Sequence, residues 1–312
     1  MISVYLQGGL GNQLFQIFTC ISYALDNNIP FKFTLYNQNS KDPRSPVSVL
    51  APKGHPRPTY WNNFLSSLKQ YTIDNQELYN IVRGNIYREP GFDYTQLPNL
   101  KRNSLLNGYW QSDLYFQNNY DKILKIIEFD KFKNTIYEKY KDILKNNTIS
   151  IQYRIGDAKR KDGSVLEFHP IIAYEYPEFY IDSLNYIIDK TKESNYTILI
   201  FCEEEDFDYV KKETNKLNNI FPNCKFIRKA STDWEEMILM SLCNHNIINN
   251  STFGWWGAYF NFNKDKIVCY PEAWFGKKFY TQKNRSNLTL PTLFPTGWKQ
   301  IECKDYKKII LN

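Results

Sequence analysis

The sequence is poor in the residues on which metal and nucleophile chemistry most often draws. It holds three histidines and three methionines in 312 residues, and its six cysteines form no Cys-x-x-Cys pair. Cys20, Cys202, Cys224, Cys243, Cys269 and Cys303 are widely spaced, with no histidine at metal-ligand distance along the chain. That spacing argues against a structural zinc site and reads as reduced, mostly buried thiols. No apolar run is long enough to cross a bilayer, and the opening Ile2-Ser3-Val4-Tyr5-Leu6 reads as a strand that leaves no room for a leader. A soluble, cytoplasmic chain is expected. No basic cluster is present either: 39 basic and 33 acidic residues give a net charge of +6, with the lysines scattered among Asn, Tyr and Glu. Nucleic acid is therefore not expected as a partner, although a mild positive field favours an anionic ligand. His169 and His245 stand alone, and no Ser-His-Asp or Cys-His arrangement can be argued.

What the chain does have is apolar and aromatic mass. Hydrophobic residues make up 42%, and 24 Tyr, 21 Phe and 7 Trp supply both core and faces on which a sugar ring can stack. The length suits two domains of about 150 residues. The polar break Lys145-Asn146-Asn147-Thr148 divides the chain into residues 1–146 and 147–312, with room for the final residues to pack back on the first domain. The first half opens as a strand at 2–6, a Gly8–Gln13 turn and a helix over Leu14–Leu25, followed by a Pro/Asn/Ser/Lys-rich loop at 37–58, a strand near 104–109 and helix over 113–144. In the second half strands are expected at 148–153, 196–201, 224–228, 245–248 and 266–270. Helices near 177–192, 204–217, 233–243 and from 253 alternate with them, the pattern of an α/β parallel sheet.

Three segments lie where chemistry would be placed. Gly8-Gly9-Leu10-Gly11-Asn12-Gln13 joins a strand to a helix, where glycines let backbone approach a ligand and amides can bind sugar or phosphate. It is not a G-x-G-x-x-G loop, and a tight structural turn is the open alternative. Gln152-Tyr153-Arg154-Ile155-Gly156-Asp157 leaves the carboxyl end of a strand, the place where open α/β sheets bind ligands. A guanidinium there suits a diphosphate and the charge that grows on a leaving phosphate; an Arg154–Asp157 pair at a domain edge is the alternative. Asn250-Ser251-Thr252-Phe253-Gly254 precedes a helix, so its hydroxyls and free N–H groups make either an anion site or a plain cap. Trp255 and Trp256 read as core. Asp206-Phe207-Asp208 spells a metal-nucleotide pattern but falls at a helix start, where acids favour the dipole.

Taken together, GGLGNQLFQ, GYWQSDLYF at 108–116, QYRIGD, IFCEEEDFDYV and EMILMSLCNHNIINNSTFGWWGAYF resemble glycosyltransferase family 11, the α-1,2-fucosyltransferase family, over nearly the whole chain. The resemblance implies a GT-B fold, two Rossmann-like domains facing a cleft, with the acceptor on the first and the GDP-sugar on the second. It implies inverting, metal-independent transfer of L-fucose from GDP-fucose to a glycan hydroxyl, most naturally the 2-hydroxyl of a galactose-type residue. GDP-fucose would be a substrate, with no cofactor and no metal. The enzyme would be unanchored, or peripheral to a glycan-assembly membrane. Arg154 matches the family's first arginine and Asn12 its amide facing the donor sugar; these are the expected catalytic residues. Gly9, Gly11, Gln13, Gln152, Asp157, Glu236, Asn250, Ser251, Thr252 and Phe253 are the expected donor-binding residues, with Glu236 accepting from guanine N1 and N2. Three positions depart from the family pattern: Gln152 replaces His, Ile155 replaces the second Arg, and Glu236 replaces Asp. These departures leave the general base unassigned. They also keep two alternatives open: a weak or inactive GDP-sugar-binding relative, and transfer of another GDP-sugar or linkage.

Overall fold

The computed structural model describes residues 1–35, 58–155, 168–281 and 290–311. It divides into two compact units, Met1–Phe132 with Thr289–Pro295, and Lys133–Leu288 with Thr296–Asn312. Asp157 and nearly all of the 37–58 loop lie outside the described residues.

In the first unit β1 (Ile2–Val4) runs into α1 (Leu10–Asp26), followed by β2 (Phe33–Thr34), β3 (Thr72–Ile73), α2 (Asn75–Val82), β4 (Ile86–Arg88), β5 (Ser104–Asn107) and α3 (Tyr120–Ile126). The strands β1, β5 and β4 form a parallel sheet in that order, with Ile2 opposite Ser104 and Ile86 opposite Leu105. A small parallel pair joins β2 to β3. α1 begins at Leu10, earlier than the apolar spacing predicts, so Gly11, Asn12 and Gln13 form its first turn. Gly11 and Asn12 are weak helix formers, and no side chain caps this helix. Burial decides the matter: Leu10, Leu14, Phe15, Ile17, Phe18 and Ile21 are all buried. The Phe18 ring meets Phe116 edge-on at 5.3 Å. α2 starts where Asp74 accepts hydrogen bonds from the N–H groups of Gln76 and Glu77, and it ends at Arg83 in the left-handed region.

The chain continues through α4 (Phe129–Leu144), β6 (Thr148–Gln152), α5 (Ile172–Glu175), α6 (Glu178–Thr191), β7 (Thr197–Phe201), α7 (Phe207–Ile220) and β8 (Lys225–Arg228). It then forms α8 (Asp233–Ser241), β9 (His245–Ile247), α9 (Thr252–Tyr259), β10 (Val268–Pro271), α10 (Lys277–Tyr280), β11 (Lys299–Ile301) and α11 (Tyr306–Leu311). The second unit is built on a six-stranded sheet in the order β11-β10-β9-β6-β7-β8, parallel at every pairing. Ile149, Ile151, Ile198, Leu199 and Ile200 are buried, as strands covered on both faces require. From β6 the chain winds outward through β7 to β8, then returns to the other side of β6 to make β9, β10 and β11. Winding reverses between β6 and β9, and in open α/β sheets the crevice at the carboxyl ends of such a pair is where ligands bind.

The fold is thus α/β with parallel sheets, and β6 to β10 each lie within a residue or two of their expected places, whereas β11 was not expected. Trp255 and Trp256 are fully buried in α9, as core residues. All six cysteines are free thiols and buried.

Candidate functional site

The second unit gathers its candidate residues at the reversal point. Arg154 follows β6, and its Nη1 donates to the Asn250 carbonyl at 3.1 Å, across from β6 to the loop that leaves β9. That loop is held from beneath. Asn250 is almost fully buried, and its amide donates to the carbonyls of Pro170 and Trp274 at 2.9 and 3.3 Å. Asn249 donates to the Tyr180 hydroxyl at 2.8 Å, and that ring stacks on Tyr153 at 4.3 Å. Asn250 therefore shapes the loop with its side chain while its backbone carbonyl engages Arg154.

Ser251 adopts an extended conformation and caps α9, its hydroxyl accepting from the Phe253 N–H at 3.3 Å. Ser251, Thr252 and Phe253 are half-buried at the helix start. First-turn N–H groups lack intrahelical acceptors and point out of the helix end, so this end carries partial positive charge beside a guanidinium.

Gln152 ends β6 and is 7% exposed; its side-chain oxygen has no hydrogen-bond partner among the described residues. It packs onto Gly254 in the first turn of α9. A β-carbon at 254 would fall 3.1 Å from the Gln152 Cδ and 3.2 Å from the Ile248 Cβ, and closer still to the Gln152 oxygen. Ile155, where the resemblance has a second arginine, is 1% exposed and supplies packing.

Glu236 lies in the first turn of α8, which opens with a Thr232–Glu235 capping box. One Glu236 oxygen accepts from the Ser231 N–H at 3.0 Å. Burial pushes its carboxyl up to about 7; the Ser231 N–H and the charge of Arg228 pull it down, and Asp233 adds to the rise. Asp206 ends a short 3-10 turn and is the N-cap of α7, and Asp208 lies in its first turn, so this acidic pair is a helix start. Among the described residues no group of three His, Cys, Asp or Glu could hold a metal ion.

The first unit assembles a second cluster at the carboxyl ends of β1, β5 and β4. Gly8 has φ +78°, and a β-carbon there would meet Asn12, so only glycine suits the turn. Gly9 is the N-cap of α1 and its carbonyl accepts from the Gln13 N–H at 3.0 Å. Gly11 is buried in the first helical turn. Gln13 is fully buried and donates to the carbonyls of Gly8 and Pro58 at 3.1 and 2.8 Å, which fixes the loop from inside. Asn12 is half-buried, and its side-chain oxygen accepts from Gln111 at 2.9 Å. The Glu89 carboxylate, just past β4, accepts from the N–H groups of Tyr109 and Trp110 at 2.7 and 2.9 Å and holds the loop after β5.

Of the expected residues, Arg154, Gln152, Asn250, Ser251, Thr252 and Phe253 meet at one sheet edge, with Glu236 on the helix that follows β8. Asn12, Gly9, Gly11 and Gln13 form the first-unit cluster. Sequence reasoning did not single out Gly254, Gln111 or Arg228. Gln111 stood inside the quoted GYWQSDLYF segment, whereas the significance of Gly254 and Arg228 emerges only from their neighbours in the fold.

An α-1,2-colitosyltransferase of Escherichia coli is 26% identical over 310 residues, covering 95% of this chain and 97% of that protein. The O-antigen biosynthesis glycosyltransferase WbnK of Escherichia coli is 27% identical over 323 residues, covering 91% and 97%. Among solved structures, the NodZ α-1,6-fucosyltransferase soaked with GDP-fucose aligns over 82% of this chain and 91% of its own, at 12% identity and a TM-score of 0.40. Among the described residues no helix is long and apolar enough to cross a membrane. The model of glycosyl transferase family 11 matches residues 60–290, which include the β6 and β9 loops and α8, and the chain belongs to that family of glycosyltransferases.

Proposed function

We propose that this glycosyltransferase moves L-fucose from GDP-fucose to a glycan hydroxyl, the 2-hydroxyl of a galactose-type residue first among candidates, with inversion and without a metal, on a GT-B scaffold. The observation that carries the reading is the pairing of Arg154 with the capped start of α9 at the reversal point of the six-stranded sheet. A guanidinium and a helix N-terminus together suit a pyrophosphate, and both act more strongly as negative charge grows on departing GDP. Gln152 and Glu236 would hold the nucleoside, Glu236 by accepting from guanine N1 and N2. Asn12, held by Gln111, would face the donor sugar. With no base assigned, orientation and leaving-group stabilisation carry the step: the bond from the anomeric carbon to the phosphate oxygen breaks as the acceptor oxygen bonds to the opposite face, and the acceptor proton leaves to solvent or an unassigned base.

The name of the colitosyltransferase relative favours a second reading, transfer of a colitosyl unit by the same machinery. The Gln152 and Ile155 positions favour a third, binding without turnover. Release of GDP from GDP-fucose and, separately, from a GDP-colitosyl donor, in EDTA, with and without galactose-terminated acceptors, separates these. Acceptor-stimulated release that survives chelation supports the proposal. GDP binding with no release from either sugar donor supports an inactive relative.

A further inference from the structure

Arg228 is the last residue of β8, and Glu236 lies on α8 just beyond the short turn that follows. Both therefore stand at the carboxyl edge of the sheet, on the same side of the reversal point as β7. The Arg228 guanidinium lies over the Phe207 ring, 4.3 Å from its centroid, and pairs outward with Glu204, whose side chain is 79% exposed. Its Nε–H is buried and has no partner among the described residues. The guanidinium is close enough to Cys202 and Glu236 to lower the proton affinity of both. Yet Arg228 and Glu236 form no ion pair with each other. One Glu236 oxygen takes the Ser231 N–H, and the other has no partner among the described residues. A half-buried carboxylate with one free oxygen and a ring-held guanidinium whose buried Nε–H has no partner, both at one edge, are complementary to a molecule with donors on one side and acceptors on the adjacent side.

Guanine is such a molecule. Its N1–H and N2–H₂ form a donor edge that a carboxylate accepts in pairs, and its O6 and N7 form an acceptor edge that an arginine fork matches bidentately. Adenine turns an acceptor, N1, toward the carboxylate and a donor, its 6-amino group, toward the arginine, so both contacts become repulsive. Resting on the reading of the donor as a GDP-sugar, we infer that Arg228 reads the O6/N7 edge of the base while Glu236 reads its N1/N2 edge. Phe207 and Glu204 keep the planar fork oriented in the free protein, and the exposed Glu204 pair is given up or shared when the base arrives.

The test is calorimetric binding of GDP, 7-deaza-GDP, which lacks the N7 acceptor, and IDP, which lacks the 2-amino group, to the full chain at pH 8. Wild type is expected to prefer GDP over either analogue by about tenfold. Arg228→Met should bind GDP and 7-deaza-GDP equally while keeping its preference for GDP over IDP, and Glu236→Gln should show the reverse. Arg228→Lys keeps the charge beside Glu204 but not the fork, and should lose the N7 preference in the same way. A residue that only clamped the start of α7 would shift all three affinities together. Retention of the N7 preference in both Arg228 variants, or equal binding of GDP and 7-deaza-GDP by wild type, overturns the inference and leaves the GDP-donor reading standing. Failure of wild type to bind GDP removes both.

Discussion

The side-chain oxygen of Gln152 occupies the space that a β-carbon on Gly254 would need, so the end of β6 and the first turn of α9 fit together only because residue 254 has no side chain. Gly254→Ala is expected to destabilise the second unit by about 1–3 kcal/mol, the usual penalty for overpacking. Gln152→Ala in the same chain should remove most of that penalty, because the two changes share one space. Chemical denaturation of the four proteins in the cycle measures the coupling. Additive losses would show that Gln152 moves aside freely and that the contact has no energetic weight.

Arg154 is expected to matter to turnover far more than to folding. It donates to the Asn250 carbonyl from a half-buried position. Arg154→Ala should lower kcat by about 10²- to 10³-fold, the range for loss of one strong charge-stabilising donor. The thermal midpoint should stay within a few degrees, as for other losses near 1 kcal/mol. Arg154→Lys should recover little, because the ammonium lacks the fork. Turnover near wild type in the alanine variant would end the leaving-group role.

Glu236 makes a pH prediction with a defined sign. Its carboxyl is raised in the fold to about 7, so the neutral form is favoured there and its stabilising contribution is present at pH 5 and lost as pH rises through 7. Glu236→Gln should melt like wild type at pH 5 and higher than wild type at pH 8. Donor binding runs the other way, because only the carboxylate accepts two donors from the base. KM for the GDP-sugar should rise as pH falls below 7, by up to about tenfold per unit, and the glutamine variant should lose that dependence. A flat KM profile between pH 6 and 8 in wild type would count against the contact.

Gln111 is expected to act through Asn12. Its amide holds the Asn12 oxygen at 2.9 Å and so fixes which way the Asn12 NH₂ points. Asn12→Ala should reduce kcat by at least tenfold. Gln111→Ala should give a smaller loss in kcat with little change in melting, and Gln111→Glu, which keeps an acceptor but offers no donor, should be no better than alanine. Full activity in Gln111→Glu would show that Asn12 orients itself.

The second unit was readable from its sequence because buried parallel strands are short apolar runs, such as Ile149–Ile151 and Ile198–Phe201, closed by polar turns. The first unit was less readable. Its strands are two to four residues long, and β4 has exposed Ile86 and Arg88 with no alternation to mark it. β11 is missed for a similar reason, since Lys299 and Gln300 are exposed and only Ile301 is buried. The start of α1 is hidden by Gly11 and Asn12, which tertiary burial overrides. At the site, Arg154 and Ser251–Phe253 could be found because their motifs are contiguous. Gly254, Gln111 and Arg228 derive their meaning from residues about 100, 99 and 8 positions away, which only the strand order and the loops between strands bring together.

The same strand order sets a timetable for synthesis. The pairing of Arg154 with the loop into α9 needs β6 and the start of α9, so no nascent chain shorter than about residue 259 can possess it. The sheet beneath is not closed at its far edge until Lys299–Ile301 has paired with β10, and the first unit takes in Thr289–Pro295. Both halves therefore wait on one stretch of about fifteen late residues. A ribosome stalled before that stretch holds a second-unit sheet that still lacks β11 and leaves the β10 edge open, the kind of edge prone to wrong pairing. Synthesis of that stretch thus supplies both units within seconds of each other, at elongation rates of about 5–20 residues per second.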